Sequence, residues 1–219
     1  MGTDIHCYTE VLRDGRWVAI TEGLISDIYD GSDWSKKRSY DNCDEIIRGR
    51  HYDLFAFMAG ARNGYGFAGV ETGNAIEPIS MPKGTPANVS DYVEDKLDWC
   101  HTKSHLSLSE IKSYDITGKV KIKRGCITDR ESFEYFLKHG RPDSWCGAAS
   151  GLPVSNDAYL EAIHMYKDDN SVRVITYVEW EIPYSEMLST LYDHAVPQLE
   201  KLSKDGKGED VRLVFGFDS

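Results

Sequence analysis

Four proton-carrying side chains, Asp4, His6, Tyr8 and Glu10, occupy alternate positions in the opening stretch Gly2-Thr3-Asp4-Ile5-His6-Cys7-Tyr8-Thr9-Glu10-Val11-Leu12. Alternate residues of a strand share a face, so these four would line one side while Ile5, Cys7, Thr9 and Val11 line the other. Such a row offers acid–base chemistry, with Asp4, His6 and Glu10 as candidate catalytic groups. Asp4 and His6 are also close enough to share a divalent metal ion. Glu10 is not: the strand between Asp4 and Glu10 spans roughly 20 Å, whereas ligand bonds are about 2 Å long. The structural alternative is a polar sheet face with cross-strand ion pairs. If the first and last strands are neighbours, Arg212 is the partner for Glu10 or Asp4.

A second set of candidate metal ligands is His101 and His105, in Cys100-His101-Thr102-Lys103-Ser104-His105-Leu106. Their spacing would face one ion from a helix, but Thr102 stands where the zinc-protease motif needs Glu. Convergence of both on His6 would build a histidine–carboxylate cluster for a phosphoesterase, the ion polarising phosphate and activating water. Surface histidines in a connection are the alternative. Trp145-Cys146-Gly147 carries no nucleophile signature, and Gly147-Ala-Ala-Ser150-Gly151 is one position away from a nucleophile elbow, so both read as structural.

A binding reading uses other residues. Arg50, Arg62 and Lys83 supply cations, and Tyr8 and Trp99 supply ring faces, the pairing that a small anionic, nucleotide-derived ligand needs. Aromatic residues serve cores more often than ligands. Basic runs at Lys36-Lys37-Arg38, Arg48-Gly-Arg50-His51 and Lys119-Val-Lys121-Ile-Lys123-Arg124 are local positive charge or solvated faces. The net charge of -11, from 36 acidic and 25 basic residues, opposes a grip on a nucleic acid polymer. A protein partner engaged through the acidic surface, and self-association, stay open.

These residues need a scaffold. Arg13-Asp14-Gly15-Arg16 followed by Trp17-Val18-Ala19-Ile20 predicts an N-terminal hairpin with the opening stretch. Residues 21–50 and 63–89 read as long loops, the second rich in Gly and Pro. Between them Tyr52–Arg62 predicts a short helix, apolar on most sides, with Asp53 and Arg62 suited to its dipole. Ser90 caps a short helix reaching Trp99, and Ser107-Leu108-Ser109-Glu110 is a capping box opening another. A strand over 118–124, a helix over Thr128–His139 and a long strand over 172–182 follow. The longest helix begins near Ser185 and is kinked or stopped by Pro197, and Val211–Phe217 is the last strand. Strands at both ends with helices between predict a single α+β domain over 1–219, its sheet mixed or mostly antiparallel.

Five scattered cysteines without a close pair predict reduced thiols. No apolar run reaches membrane-spanning length and no signal-peptide pattern opens the chain, which predicts a cytoplasmic protein.

Taken together, Gly2-x-Asp4-Ile5-His6-x3-Glu10, Tyr52-Asp53-Leu54-Phe55-Ala56 with Ala59-Gly60-x-Arg62, Pro82-x-Gly84-x-Pro86, His101-x3-His105-Leu106-x-Leu108-x-Glu110 and Val211-Arg212-x-Val214-Phe215-x-Phe217-Asp218 resemble a group of uncharacterised bacteriophage and prophage proteins. The resemblance covers most of the chain; it implies a phage origin and, since that group has no established activity, carries over nothing catalytic. By analogy it implies a role against host defence in the host cytoplasm, through a small signalling ligand or a host protein.

Overall fold

Antiparallel pairing of the first and last strands organises the sheet that carries the candidate residues. The structure, a computed structural model, describes residues 2–29 and 37–218. Strand β1 (Ile5–Arg13) turns through Asp14 and Gly15 into β2 (Arg16–Ala19). Both turn residues have positive φ, 50° and 77°, as a two-residue turn matched to strand twist requires.

Next come β3 (Leu24–Tyr29), β4 (Lys37–Cys43) and β5 (Glu45–Gly49), so strands occupy much of the described part of 21–50, where polarity predicts a loop; residues 30–36 of that stretch lie outside the described residues. β4 is an edge strand, paired on one side only, and edges accept polar and charged residues that would be costly inside a sheet. Lys36 of the first basic run lies outside the described residues.

Helix α1 (Tyr52–Ala59) buries every residue from Leu54 to Ala59. Gly60 ends it in the left-handed conformation, which places Arg62 beyond the helix and not in its last turn. Residues 63–89 contain one 3₁₀ turn, Phe67–Gly69, in otherwise irregular chain, as their glycines and prolines predict.

Helices α2 (Asp91–Lys96) and α3 (Leu108–Ser113) flank β6 (His101–Ser107). The segment expected as a connection is therefore a strand, held by its ladder to the last strand. The predicted capping box opens α3, with Ser107 and Glu110 each satisfying the other's backbone N–H. There follow β7 (Val120–Ile127), α4 (Arg130–His139), β8 (Leu152–Pro153), α5 (Tyr159–Met165), β9 (Val174–Pro183) and α6 (Tyr184–Met187). After these come α7 (Val196–Leu202) and β10 (Val211–Phe217). Just before Pro197 the chain takes one π-helical stretch, Thr190–Ala195. Proline has no N–H for the carbonyl four residues back and its ring crowds that oxygen, so the helix widens there.

Contacts gather into two compact units. The first comprises Met1–Asn63, Ile76–Gly118 and Tyr184–Ser219, and the second Gly64–Ala75 and Lys119–Pro183. The first holds a sheet ordered β4-β3-β5-β1-β10-β6, with β2 also beside β1; β3 and β5 run parallel and the other pairs antiparallel. The second holds the sheet β7-β9-β8, packed around Ile127, Phe133, Tyr159 and Val178. The chain is an α+β protein.

Strand β1 is central and covered on both faces. Ile5, Cys7, Thr9 and Val11 are buried as their alternation predicts. On that side of the sheet Phe55 of α1 meets Phe217 of β10, ring centroids 5.0 Å apart. On the other face Tyr8 packs with Val93, Leu97, Cys100 and Val214. No helix among the described residues is long and apolar enough to cross a membrane.

Candidate functional site

The row Asp4, His6, Tyr8, Glu10 exists, but its members have separate tasks. Glu10 lies directly opposite Arg212 in the β1–β10 ladder. Arg212 Nε donates to its Oε2 at 2.8 Å, Nη2 stands in ion-pair contact with the same oxygen at 2.7 Å, and the Ser90 backbone N–H donates to Oε1 at 2.7 Å. Arg212 also donates to Asn88 and lies 3.9 Å over the Trp17 ring. With both oxygens engaged and no exposed surface, Glu10 is a structural ion-pair partner and not a catalytic group.

Asp4 accepts from Arg50 Nε at 3.0 Å, and its backbone N–H donates to Asp218 Oδ1 at 2.5 Å. His6 Nδ1 stands 2.9 Å from Glu45 Oε1, and Nε2 stands 3.6 Å from Asp218 Oδ2. The hydrogen bond to Glu45 is the largest influence on the imidazole and raises its pKa; burial opposes the shift, and charge on Glu45 and Asp218 supports it. Tyr8 donates to the same Glu45 oxygen at 2.8 Å. Burial first and Glu45 second push that phenol far up, so it stays a protonated donor. Trp99 packs edge-on to His6, centroids 4.7 Å apart, while remaining largely exposed.

His101 Nε2 bonds the Asp218 carbonyl at 2.9 Å and its Nδ1 bonds Thr102 Oγ1 at 2.9 Å. His105 Nδ1 bonds the Gly84 carbonyl at 3.1 Å. Four residues of strand separate these histidines by roughly 13 Å, where a helix would have stacked them. The predicted metal set of Asp4, His6, His101 and His105 therefore does not assemble. Among the described residues no three His, Cys, Asp or Glu side chains converge on a point where an ion would sit.

The expected ligand contacts also disperse. Tyr8 is buried against Glu45, Arg50 is paired with Asp4, and Trp99 rests on His6. Lys83 Nζ lies 2.5 Å from Glu110 Oε1 in a cleft of about 390 Å³ that His105, Trp17 and Arg212 also line.

Arg62 has a different setting. It lines a cleft of about 330 Å³ with His101, Thr102, Thr3, Met81 and Phe217. Its Nε and Nη2 donate to Thr3 Oγ1 at 3.0 and 2.7 Å, and its guanidinium lies 5.2 Å from the centre of the Tyr52 ring. Both Arg62 and Thr102 hold positive φ, 52° and 50°. For a β-branched residue this conformation is an outlier, and such backbone costs on the order of 1–3 kcal/mol at each position.

Glu45, Asp218, Thr3, Thr102 and Met81 are the contributors that local pattern does not mark as site residues. A register argument reaches Asp218: if β1 and β10 pair with Glu10 opposite Arg212, position 218 falls beside position 4. Glu45 has no such signal, since it reaches His6 through the pairing of β5, inside a stretch read as loop. Comparison with family models, with curated proteins and with solved structures finds no match to this chain.

Proposed function

We propose that the protein binds a small organic anion of the nucleotide class in the cleft shared by Arg62 and His101. The observation that carries this is that two non-glycine residues with left-handed backbone, Arg62 and Thr102, both line one cleft. Strained backbone persists where surrounding structure holds it, and it clusters at ligand sites. The chemistry of the lining fits an anion. The Arg62 guanidinium brings fixed positive charge to the cleft, and two hydrogen bonds to the Thr3 hydroxyl hold it in place. Met81, 69% exposed, offers a polarisable thioether suited to the face or edge of an aromatic ring. A volume of about 330 Å³ lies at the lower end for ligand sites and suits a mononucleotide better than a larger cofactor.

Dispersal of the four candidate metal ligands favours binding over metal-assisted hydrolysis. In the phage setting that the resemblance implies, such a protein acts by holding a host signal molecule away from its receptor.

The test is tryptophan fluorescence and equilibrium dialysis with AMP, cyclic AMP, adenosine and inorganic phosphate, on the native protein and on Arg62→Gln. Trp99 lies two residues before His101 and gives the optical readout. Retention of AMP or cyclic AMP over adenosine, weakened roughly 10- to 100-fold by Arg62→Gln, is expected for a charge-assisted contact. Equal binding of adenosine and AMP, or a variant that binds as tightly as the native protein, sinks the proposal.

A further inference from the structure

In the second unit two cysteines twenty residues apart in sequence meet as cross-strand neighbours. Cys126 is the penultimate residue of β7, and Cys146 lies in the irregular chain after α4. The Cys126 N–H donates to the Cys146 carbonyl at 2.7 Å, and the Cys146 N–H returns a bond to the Cys126 carbonyl at 3.0 Å. This mutual exchange defines a hydrogen-bonded antiparallel pair, whose Cα atoms stand about 5.5 Å apart with both side chains on one face. Disulfides span Cα separations of about 4.4–6.8 Å, so the backbone already meets the distance condition. Both residues are free thiols, and the Cys146 Sγ lies 3.7 Å from the Cys126 carbonyl oxygen.

The segment carrying Cys146 is held in this register by its neighbours. Trp145 packs on Trp180, centroids 5.1 Å apart, with Lys123 Nζ 5.0 Å from the centre of its ring. A methyl group at Gly125 would stand 2.5 Å from the Trp145 ring, so the bare glycine lets the indole close on β7 beside Cys126. The two thiols differ in access: Cys126 is fully buried and Cys146 is exposed.

We propose that Cys126 and Cys146 are a thiol oxidation site that a peroxide converts to a reversible disulfide. The exposed Cys146 reacts first. Its thiolate attacks one peroxide oxygen, an S–O bond forms, the O–O bond breaks, and the second oxygen leaves as water after taking a proton. The Cys126 thiolate then attacks the Cys146 sulfur, the S–S bond forms, the S–O bond breaks, and the oxygen leaves as a second water. Two thiols are oxidised by two electrons and one peroxide is reduced to two waters. A small thiol such as glutathione restores the pair by exchange. Burial pushes the Cys126 thiol up to about 11, with the adjacent Cys146 thiol adding to the shift, so closure is slow at neutral pH and faster in base. At Cβ a hydrogen-bonded pair stands about 5–5.5 Å apart, wider than the 3.5–4.5 Å of relaxed disulfides, which favours a bond that reduces readily.

The test exposes the native protein to stoichiometric hydrogen peroxide, alkylates it under denaturing conditions and maps its peptides, with Cys126→Ser and Cys146→Ser in parallel. The thiol count is expected to fall by two from five, with a peptide joining positions 126 and 146 that glutathione cleaves. Closure should accelerate with rising pH. Cys126→Ser should stop at a sulfenic acid on Cys146 that a dimedone probe traps, and Cys146→Ser should retain its remaining thiols. A native protein that accumulates sulfinic acid on Cys146 while Cys126 still alkylates overturns the proposal, as does a bridge that maps to other cysteines or a full thiol count after treatment.

Discussion

Glu10 and Arg212 face each other across β1 and β10, joined by a hydrogen bond of 2.8 Å and an ion-pair contact of 2.7 Å, with side chains 0% and 7% exposed. Two charges are kept out of water here only because each has its full set of partners. Glu10 has Arg212 and the Ser90 N–H; Arg212 adds Asn88 and the Trp17 ring. Removing one member strands the other. Glu10→Ala is expected to lower stability by about 3–5 kcal/mol in urea unfolding, the range for breaking a buried pair. The joint change Glu10→Leu with Arg212→Met should cost much less, because it leaves no buried charge. Equal losses in the single and double variants would count against this account.

The His6–Glu45 contact predicts a pH dependence with a definite sign. The folded-state pKa of His6 is raised above 6.5, so the folded protein binds the proton more tightly than the unfolded chain. The stabilisation is complete below 6.5 and is lost as pH rises through the raised value. Urea midpoints measured from about pH 6 to about pH 9 should fall more in the native protein than in His6→Gln, whose side chain does not titrate. Parallel profiles would show that the contact contributes nothing.

Thr102 separates stability from binding. Glycine adopts φ near 50° without the steric cost that a β-branched residue meets. Thr102→Gly should therefore raise stability by on the order of 1 kcal/mol, the relief of strain exceeding the added freedom of the unfolded chain. The same change removes the hydroxyl that bonds His101 Nδ1, so nucleotide retention should weaken. A variant both less stable and unchanged in binding would place the strain outside the site's function.

Local sequence carries much of this structure. The Asp14-Gly15 turn, the buried side of β1, the apolar α1, the capping box at Ser107 and Glu110 and the disturbance before Pro197 all depend on residues within a few positions of one another. Short-range sterics and hydrogen bonding decide such features. The strands β3, β4 and β5 were illegible for the converse reason: they exist through their pairing partners, which lie far apart in sequence or in a stretch whose polarity gives no strand signal, and only β4 sits at the sheet edge.

The candidate site was legible in residue type and not in grouping. Alternation alone determines that Asp4, His6, Tyr8 and Glu10 share a face of a strand, and it also indicates Arg212 as a cross-strand partner once the end strands pair. Only the tertiary structure decides that Glu10 is spent on that partner and that His6 answers to Glu45 and Asp218. It alone separates Lys83 from Arg62 into different clefts and brings Cys126 and Cys146 face to face. The physical reason is range. Side-chain periodicity is set by backbone geometry a few residues at a time, whereas neighbours across a sheet are set by strand order and register, which depend on how the whole chain buries its apolar surface.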